Sequence, residues 1–400
     1  MTVDPGATPA PRGPFDGILV VDLTRILAGP YCTLLLAELG ARVIKVERPP
    51  GGDEARRIGP APDAAPDRSA YFQSVNRGKQ SIALDLELAG DRAVFEALLE
   101  RADVLAENFR PGVMEKLGYG WETLHARWPR LIVASTSGFG QSGPLRSLPA
   151  YDVVAQALGG MMSLTGEPGR APARVGVSLG DLSAGMFTAL GVSAALYQRE
   201  RSGMGQRVDV AMLDSQVALV ENAISRFEAT GEVPGPMGSR HPAVAPFQAF
   251  ATADGHLVIA AGNDELFARL ARAVERPALA SDPRFASAVE RMRHVDALQR
   301  ELEDALAARG AASWVSVLRD AGVPCAPVQR VGELLEDPQV RARNMIVEAV
   351  DPELGRVRMA GNPVKLSAAA DPPERAAAPR LDADRAAILA ELGMADPSEE

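Results

Sequence analysis

The 400-residue sequence has only two cysteines, four histidines and, among 42 basic residues, four lysines. Cys32 and Cys325 alone exclude a disulfide framework. The histidines, at 125, 241, 256 and 294, show no ligand spacing, so no metal site is expected. No apolar run reaches the roughly 18–20 residues of a membrane helix. Residues 1–13, rich in Pro, Ala and Gly, lack the charged-then-apolar pattern of a secretory signal. A net charge of −10 argues against wrapping nucleic acid, whose affinity comes from basic faces. These absences lead to the expectation of a reduced, cytoplasmic protein that engages neither membrane nor nucleic acid.

What remains is an ordinary globular composition, 46% hydrophobic and 24% charged, long enough for two domains. Residues 17–23 (GILVVDL) read as a strand, 30–39 as a helix opened by Pro30 and stopped by Gly40, and 42–47 (RVIKVE) as a second strand. Strand, helix and strand in about 30 residues form a βαβ unit with parallel strands. The pattern repeats through strands at 80–86, 102–107 and 131–136 and helices at 90–101 and 121–127. Apolar strands without clean polar alternation imply a sheet covered on both faces, hence a Rossmann-like, doubly wound α/β domain.

Beyond residue 151 the chain reads as buried helices at 152–163 and 182–200, a strand at 206–212 and a helix from 214 to 226. A Pro- and Gly-rich connector (231–246) precedes a hairpin at 247–261 turning at Asp254–Gly255. Helices at 263–274, 296–308 and 312–321 and a short strand at 324–328 follow, with a last helix at 383–392. This organisation predicts a large domain from both chain ends (1–228 and 331–400) around a smaller α+β domain (229–330).

Gly138, Gly140 and Gly143 match the spacing of a dinucleotide loop, but Pro144 and Pro149 follow and no useful helix begins there. No Gly-x-Ser-x-Gly elbow is present. Lys45, Lys79 and Lys116 crowd into the first 116 residues, through compositional bias or because a phosphate-rich ligand binds there. Asp181, in Gly-Val-Ser-Leu-Gly-Asp-Leu-Ser-Ala-Gly (176–185), stands at a helix start. It is either a plain N-cap or a nucleophilic carboxylate, with Gly180 and Gly185 leaving room for an acyl group.

Several segments together carry a specific resemblance: Leu23-Thr-Arg-Ile-Leu-Ala-Gly-Pro30, Gly40-Ala-Arg-Val-Ile-Lys-Val-Glu-Arg48, Asn76-Arg-Gly-Lys-Gln-Ser81, Glu107-Asn-Phe-Arg-Pro-Gly112, Tyr151-Asp152 and Leu179-Gly-Asp-Leu-Ser-Ala-Gly185. From about Leu19 to Leu392 the chain resembles the class III CoA-transferases, which include the formyl-CoA and crotonobetaine/carnitine CoA-transferases. The resemblance implies Asp181 as nucleophile, passing through an acyl anhydride and an aspartyl-CoA thioester. It places CoA contacts on Ile26, Ala28, Arg48, Leu84, Asn108, Phe109, Arg110 and Lys116. It implies acyl-CoA (succinyl-CoA by default) and a free carboxylic acid as substrates, no cofactor beyond CoA, and an interlocked homodimer.

The sequence departs from the family at Leu27, where formyl-CoA transferase has a Gln near the reacting centre, and at Glu87, where a relative has Lys. Leu27 argues against oxalate as acceptor and shifts acid recognition toward Tyr151, His241 and the connector around Gly238. Two alternatives share the fold. An α-methylacyl-CoA racemase would need a His where Tyr151 stands, and Tyr, with an unperturbed pKa of about 10, is a poor base at neutral pH. A non-catalytic acyl-CoA-binding protein is the other.

Overall fold

The computed structural model describes residues 13–62, 66 and 68–397, and they divide into two compact units. Of the described residues, the first comprises those within 13–162, 174–232 and 338–397, and the second 163–173 and 233–337.

The first unit opens with β1 (Leu19–Asp22), α1 (Ala28–Glu38), β2 (Arg42–Glu47), α2 (Ala70–Asn76), β3 (Gln80–Ala83), α3 (Ala89–Leu99) and β4 (Val104–Glu107). After β4 come α4 (Val113–Lys116), α5 (Trp121–Arg127), β5 (Ile132–Ser137), α6 (Asp152–Leu158) and α7 (Met161–Leu164). Then follow α8 (Leu179–Ser202), β6 (Arg207–Ala211), α9 (Met212–Leu219) and α10 (Glu221–Thr230). All six strands pair in parallel in the order β3-β2-β1-β4-β5-β6, which reverses direction at β1. Successive strand residues face opposite layers. Val21, Ile44, Leu105 and Val133 pack in one core with α3, while Val20, Val43, Val104 and Ile132 pack in another against α1 and α8.

The second unit is an antiparallel sheet of β7 (Phe247–Ala251), β8 (His256–Ala260) and β9 (Cys325–Pro327), with the expected turn at Asp254–Gly255. Helices α11 (Asp264–Ala273), α12 (Ala288–Arg293), α13 (Val295–Leu306) and α14 (Ala311–Asp320) accompany it, before the short α15 (Val331–Leu334). Phe250, Phe267, Phe285, Leu302 and Trp314 centre its own core.

The returning chain forms α16 (Pro338–Ala342), a hairpin of β10 (Ile346–Asp351) and β11 (Gly355–Ala360), β12 (Glu374–Arg375) and α17 (Arg385–Leu392). Ile388 and Leu389 of α17 join the core that holds Val21 and Ile44. The hairpin and α2 have no counterpart in the sequence reading. Helix α8 corrects another expectation, since its 24 residues are apolar and long enough to cross a membrane by composition. Half of its most apolar stretch is buried, and it packs on α1 as a core helix does.

Under the sheet's C-terminal edge lies a buried ionic network. Lys79 Nζ donates to Asp22 Oδ2 at 3.0 Å, Thr33 Oγ1 at 2.7 Å, Asn76 Oδ1 at 2.8 Å and the Pro30 carbonyl at 3.1 Å. Lys45, also fully buried, pairs with Asp53 at 3.0 Å and donates to the Thr24 carbonyl. Two of the four lysines are therefore structural, which corrects the reading that they collect phosphate. Burial alone would raise the Asp22 carboxyl, but Lys79, Lys45 and the Thr24 and Thr33 hydroxyls outweigh it and hold it down at about 2. Burial lowers Lys79 to about 8 against the attraction of Asp22. Removing one partner of a buried pair strands the other charge. Lys79→Met should destabilise the protein by about 3 kcal/mol, read as a lowered midpoint in thermal or urea unfolding; an unchanged midpoint would show that Lys45 alone neutralises Asp22.

Candidate active site

In a doubly wound sheet, ligands gather beyond the C-terminal strand ends where the strand order reverses. Here that point lies between β1 and β4, and the sequence-derived candidates collect around it. Ile26 and Ala28 follow β1, Arg48 follows β2, Leu84 follows β3, and Asn108, Phe109 and Arg110 follow β4. The turn after β1 is pinned from three sides. Asn108 clamps the Arg25 peptide, its Oδ1 accepting the Arg25 N–H and its Nδ2 donating to the Arg25 carbonyl, both at 2.8 Å. Asp53 Oδ1 accepts the Ile26 N–H at 3.0 Å, and Lys45 holds the carbonyl of Thr24. These bonds keep Ile26 at φ +67°, a left-handed conformation that a β-branched residue adopts only under constraint.

Helix α8 brings Asp181 to this turn. A Cβ on Gly185 would come within 2.7 Å of the Ala28 carbonyl, so glycine is what lets the backbones of α8 and α1 approach. One on Gly180 would meet Asp152 Oδ1 at 3.0 Å. Both glycines thus serve packing, which corrects the expectation that they make room for an acyl group. Asp181 is also not the N-cap. That position belongs to Ser178, and Asp181 is the third helical residue, half-buried. Its carboxylate accepts no hydrogen bond from any described residue.

Asp181 opens on a cavity of about 640 Å³ that also exposes Ile26, Leu27, Ala28, Asn108, Tyr151 and Arg174. A second cavity of about 770 Å³ is lined by Arg48, Leu84, Arg57 and Lys116. Arg25, Phe109 and Arg110 line both, so the two adjoin at that wall, where the Arg25 guanidinium lies 5.1 Å from the Phe109 ring centre. Acids and bases line both chambers: Glu54, Asp152 and Asp181 with Arg146 and Arg174 in the first, and Arg48, Arg57 and Lys116 beside Asp85 and Glu87 in the second.

The electrostatics of the first chamber are unusual for an aspartate. Burial, and then the charge of Asp152, push the Asp181 carboxyl up to about 7. Tyr71 lines the same cavity, and its phenol is pushed up to about 12 by burial and by the negative charges of Asp181, Asp53 and Asp152. Nothing in the sequence singled out Tyr71, since α2 carries no periodic signal. Arg48 is exposed and faces acidic groups, 3.4 Å from Glu87 and 3.8 Å from Asp85. Tyr151 is 73% exposed on the cavity rim. His241 belongs to the second unit, where its ring packs on Phe247 and its Nδ1 accepts the Ala243 N–H. There Gly238, at φ +61°, donates its N–H to the Gly166 carbonyl. Gly138 to Gly143 lead into turns, not a helix, as Pro144 requires. Among the described residues no cluster of His, Cys, Asp or Glu is arranged to hold a metal.

The chain is similar to known proteins over nearly its whole length. Residues 15–385 match CoA-transferase family III. The acetyl-CoA:oxalate CoA-transferase of Acetobacter aceti is 50% identical, over 96% of this chain and 97% of its own. The succinyl-CoA:mesaconate CoA-transferase of Haloarcula hispanica is 42% identical over the same shares. The crystal structure of a CAIB/BAIF family protein from Brucella suis superposes with a TM-score of 0.85 at 38% identity, covering 95% of this chain and all of that one.

The raised Asp181 carboxyl has a thermodynamic consequence. An unfolded chain ionises this aspartate near 3.8, whereas the folded chain resists until about 7. The folded state thus loses stability as pH rises across that interval. Asp181→Asn should therefore raise the melting temperature at pH 8 and leave it nearly unchanged at pH 3.5, by calorimetry; equal effects at both would contradict the assignment.

Proposed function

This chain belongs to CoA-transferase family III and is a CoA-transferase acting between an acyl-CoA and a carboxylic acid, and within that activity we propose that Asp181 is the nucleophile. The observation that carries the proposal is a carboxylate without a hydrogen-bond partner among the described residues, on the first turn of a long helix, facing a cavity that adjoins one lined by Arg48, Arg57 and Lys116. A nucleophile must be unengaged and near donors for the charge that develops.

The steps balance without an added reagent. The Asp181 carboxylate attacks the thioester carbonyl of acyl-CoA, and CoA leaves as thiolate, giving a mixed anhydride. The thiolate attacks the aspartyl carbon of that anhydride, releasing the first acid and forming an aspartyl-CoA thioester. The second acid's carboxylate attacks this thioester and again expels thiolate. The thiolate then attacks the acid's own carbonyl in the new anhydride, forming the product acyl-CoA and returning Asp181. The CoA nucleotide occupies the second chamber with Arg48, Leu84 and Lys116, and its pantetheine arm passes Phe109 and Arg110 toward Ile26 and Ala28. The clamp of Asn108 keeps that turn in place.

For the acid, a small dicarboxylate fits Arg146 and Arg174, two of the four arginines lining the first chamber, with Tyr151 at the rim. Named relatives act on oxalate and on mesaconate, both dicarboxylic acids. Succinyl-CoA remains the proposed donor, and acetyl-CoA its competitor from the relative named for it. The apolar, buried Leu27 weighs against oxalate. Initial rates for both donors against oxalate, mesaconate and glutarate read the choice directly.

A homodimer is also part of the proposal. Met186, Leu190 and Tyr197 lie on one side of α8, 46%, 64% and 66% exposed, an apolar stripe of the kind that subunit contacts cover.

Asp181→Asn should reduce transfer to background while CoA binding persists. Hydroxylamine added to wild type with acyl-CoA should trap Asp181 as a hydroxamate in the peptide Val175–Arg199. Substantial turnover by the variant, or an adduct at Asp152 or Asp214, would defeat the assignment. Arg48→Ala should raise the KM for acyl-CoA several-fold, by roughly 1 kcal/mol of lost phosphate pairing, with the acid's KM unchanged.

A further inference from the structure

Helix N-termini leave four amides without helical partners, and acidic side chains in the first turn ordinarily meet them. Asp181 stands in that turn and meets none. The helix is capped by another element. Ser178, at the N-cap, makes no side-chain capping bond. The Gly180 N–H is instead received by Asp152 Oδ1 on α6 at 2.7 Å. The other Asp152 oxygen accepts Gln156 Nε2 at 2.7 Å, and Gln156 Oε1 in turn accepts the Val175 N–H at 2.9 Å. Asp152 and Gln156, one turn apart and 7% and 0% exposed, thus hold both the segment leading into α8 and its first turn. Gly180 makes this possible, since a Cβ there would crowd the Asp152 oxygen at 3.0 Å.

We propose that Asp152 is a positioning residue for CoA transfer: it caps α8 in place of Asp181, which leaves the Asp181 carboxylate unengaged and facing the cavity. The inference rests on Asp181 being the nucleophile. Asp152 also acts through its charge. The ionisable groups around Asp181 are Asp152 on α6, Tyr71 on α2 and Arg174, whose guanidinium lies 3.9 Å from Asp152. Arg110, Arg146 and the Arg25–Glu54 pair complete the wall. After burial, Asp152 is the group that opposes ionisation of Asp181. One carboxylate therefore frees the nucleophile and delays its charge, so that the anion forms near neutrality with a more basic, more nucleophilic oxygen.

The test is the pH profile of kcat for wild type, Asp152→Asn and Asp152→Ala, with hydroxylamine trapping in parallel. In wild type, kcat should climb through a limb near pH 7 as Asp181 ionises. Asparagine keeps an acceptor for the Gly180 N–H and removes the charge, so the limb should move down by roughly one pH unit. Alanine removes both. The released Gly180 amide then competes for Asp181, and kcat should fall about tenfold or more while the KM for acyl-CoA changes less than about twofold. Should Asp152→Ala fail to fold, Asp152→Asn carries the test. A limb that stays in place in Asp152→Asn, or an unchanged kcat in a folded Asp152→Ala, overturns the proposal. Wild-type transfer with no adduct at Asp181 overturns the nucleophile assignment beneath it, a separate result.

Discussion

The ion pair of Asp22 with Lys79 sits where β1 ends, and the geometry of the site descends from it. Four oxygen atoms surround the ammonium, contributed by β1, α1 and the end of α2. A compact ammonium suits such a cage, whereas a planar guanidinium would not enter it. Beside it Lys45 carries the network to Asp53, and Asp53 reaches the amide of Ile26. Glu47 extends the same system by accepting the Asp53 N–H and a two-pronged contact from Arg56 at 2.8 and 2.6 Å. The polar groups that a ligand-binding turn must hide are thus satisfied from within the sheet. Such networks are costly when incomplete, which is why so many partners converge here.

Above this layer two carboxylates on neighbouring helices divide one task. Asp152 is anchored by three groups, and Asp181, the residue after Gly180, accepts no hydrogen bond from any described residue. The difference follows from position, since both are short acidic side chains in similar surroundings. The strand reversal at β1 adds the remaining requirement, a cleft into which the turns after β1 and β4 diverge.

Much of this was legible in the sequence, for identifiable reasons. Strands such as 42–47 and 132–137 place apolar residues on both faces without a clean polar alternation, so a sheet covered on both sides follows from the pattern, and helix 121–127 coincides with its expected span. Asp181 stood out through its flanking glycines, although those glycines turned out to accommodate a helix crossing and a foreign cap. Where reading failed, the deciding contacts were distant in sequence. Nothing local marks Lys79 as the partner of Asp22, 57 residues away, or Asn108 as the clamp of Arg25, 83 residues away. The β10–β11 hairpin was legible in part: GRVRMA alternates Arg356, Val357, Arg358 and Met359 as a half-buried strand does, whereas IVEAVD shows no such alternation.

The left-handed Ile26 bears on how this enzyme can change. Its turn is gripped by Asp53, Lys45 and Asn108, residues committed elsewhere to the sheet and its ion network. A substitution in the turn must satisfy all three grips at once, so drift there is narrow. The stretch of the chamber lining from Arg146 to Tyr151 is largely exposed and tied down by few side-chain bonds. New acid preferences therefore have one open route: they accumulate on that stretch, while the turn after β1 stays fixed by the foundations of the fold.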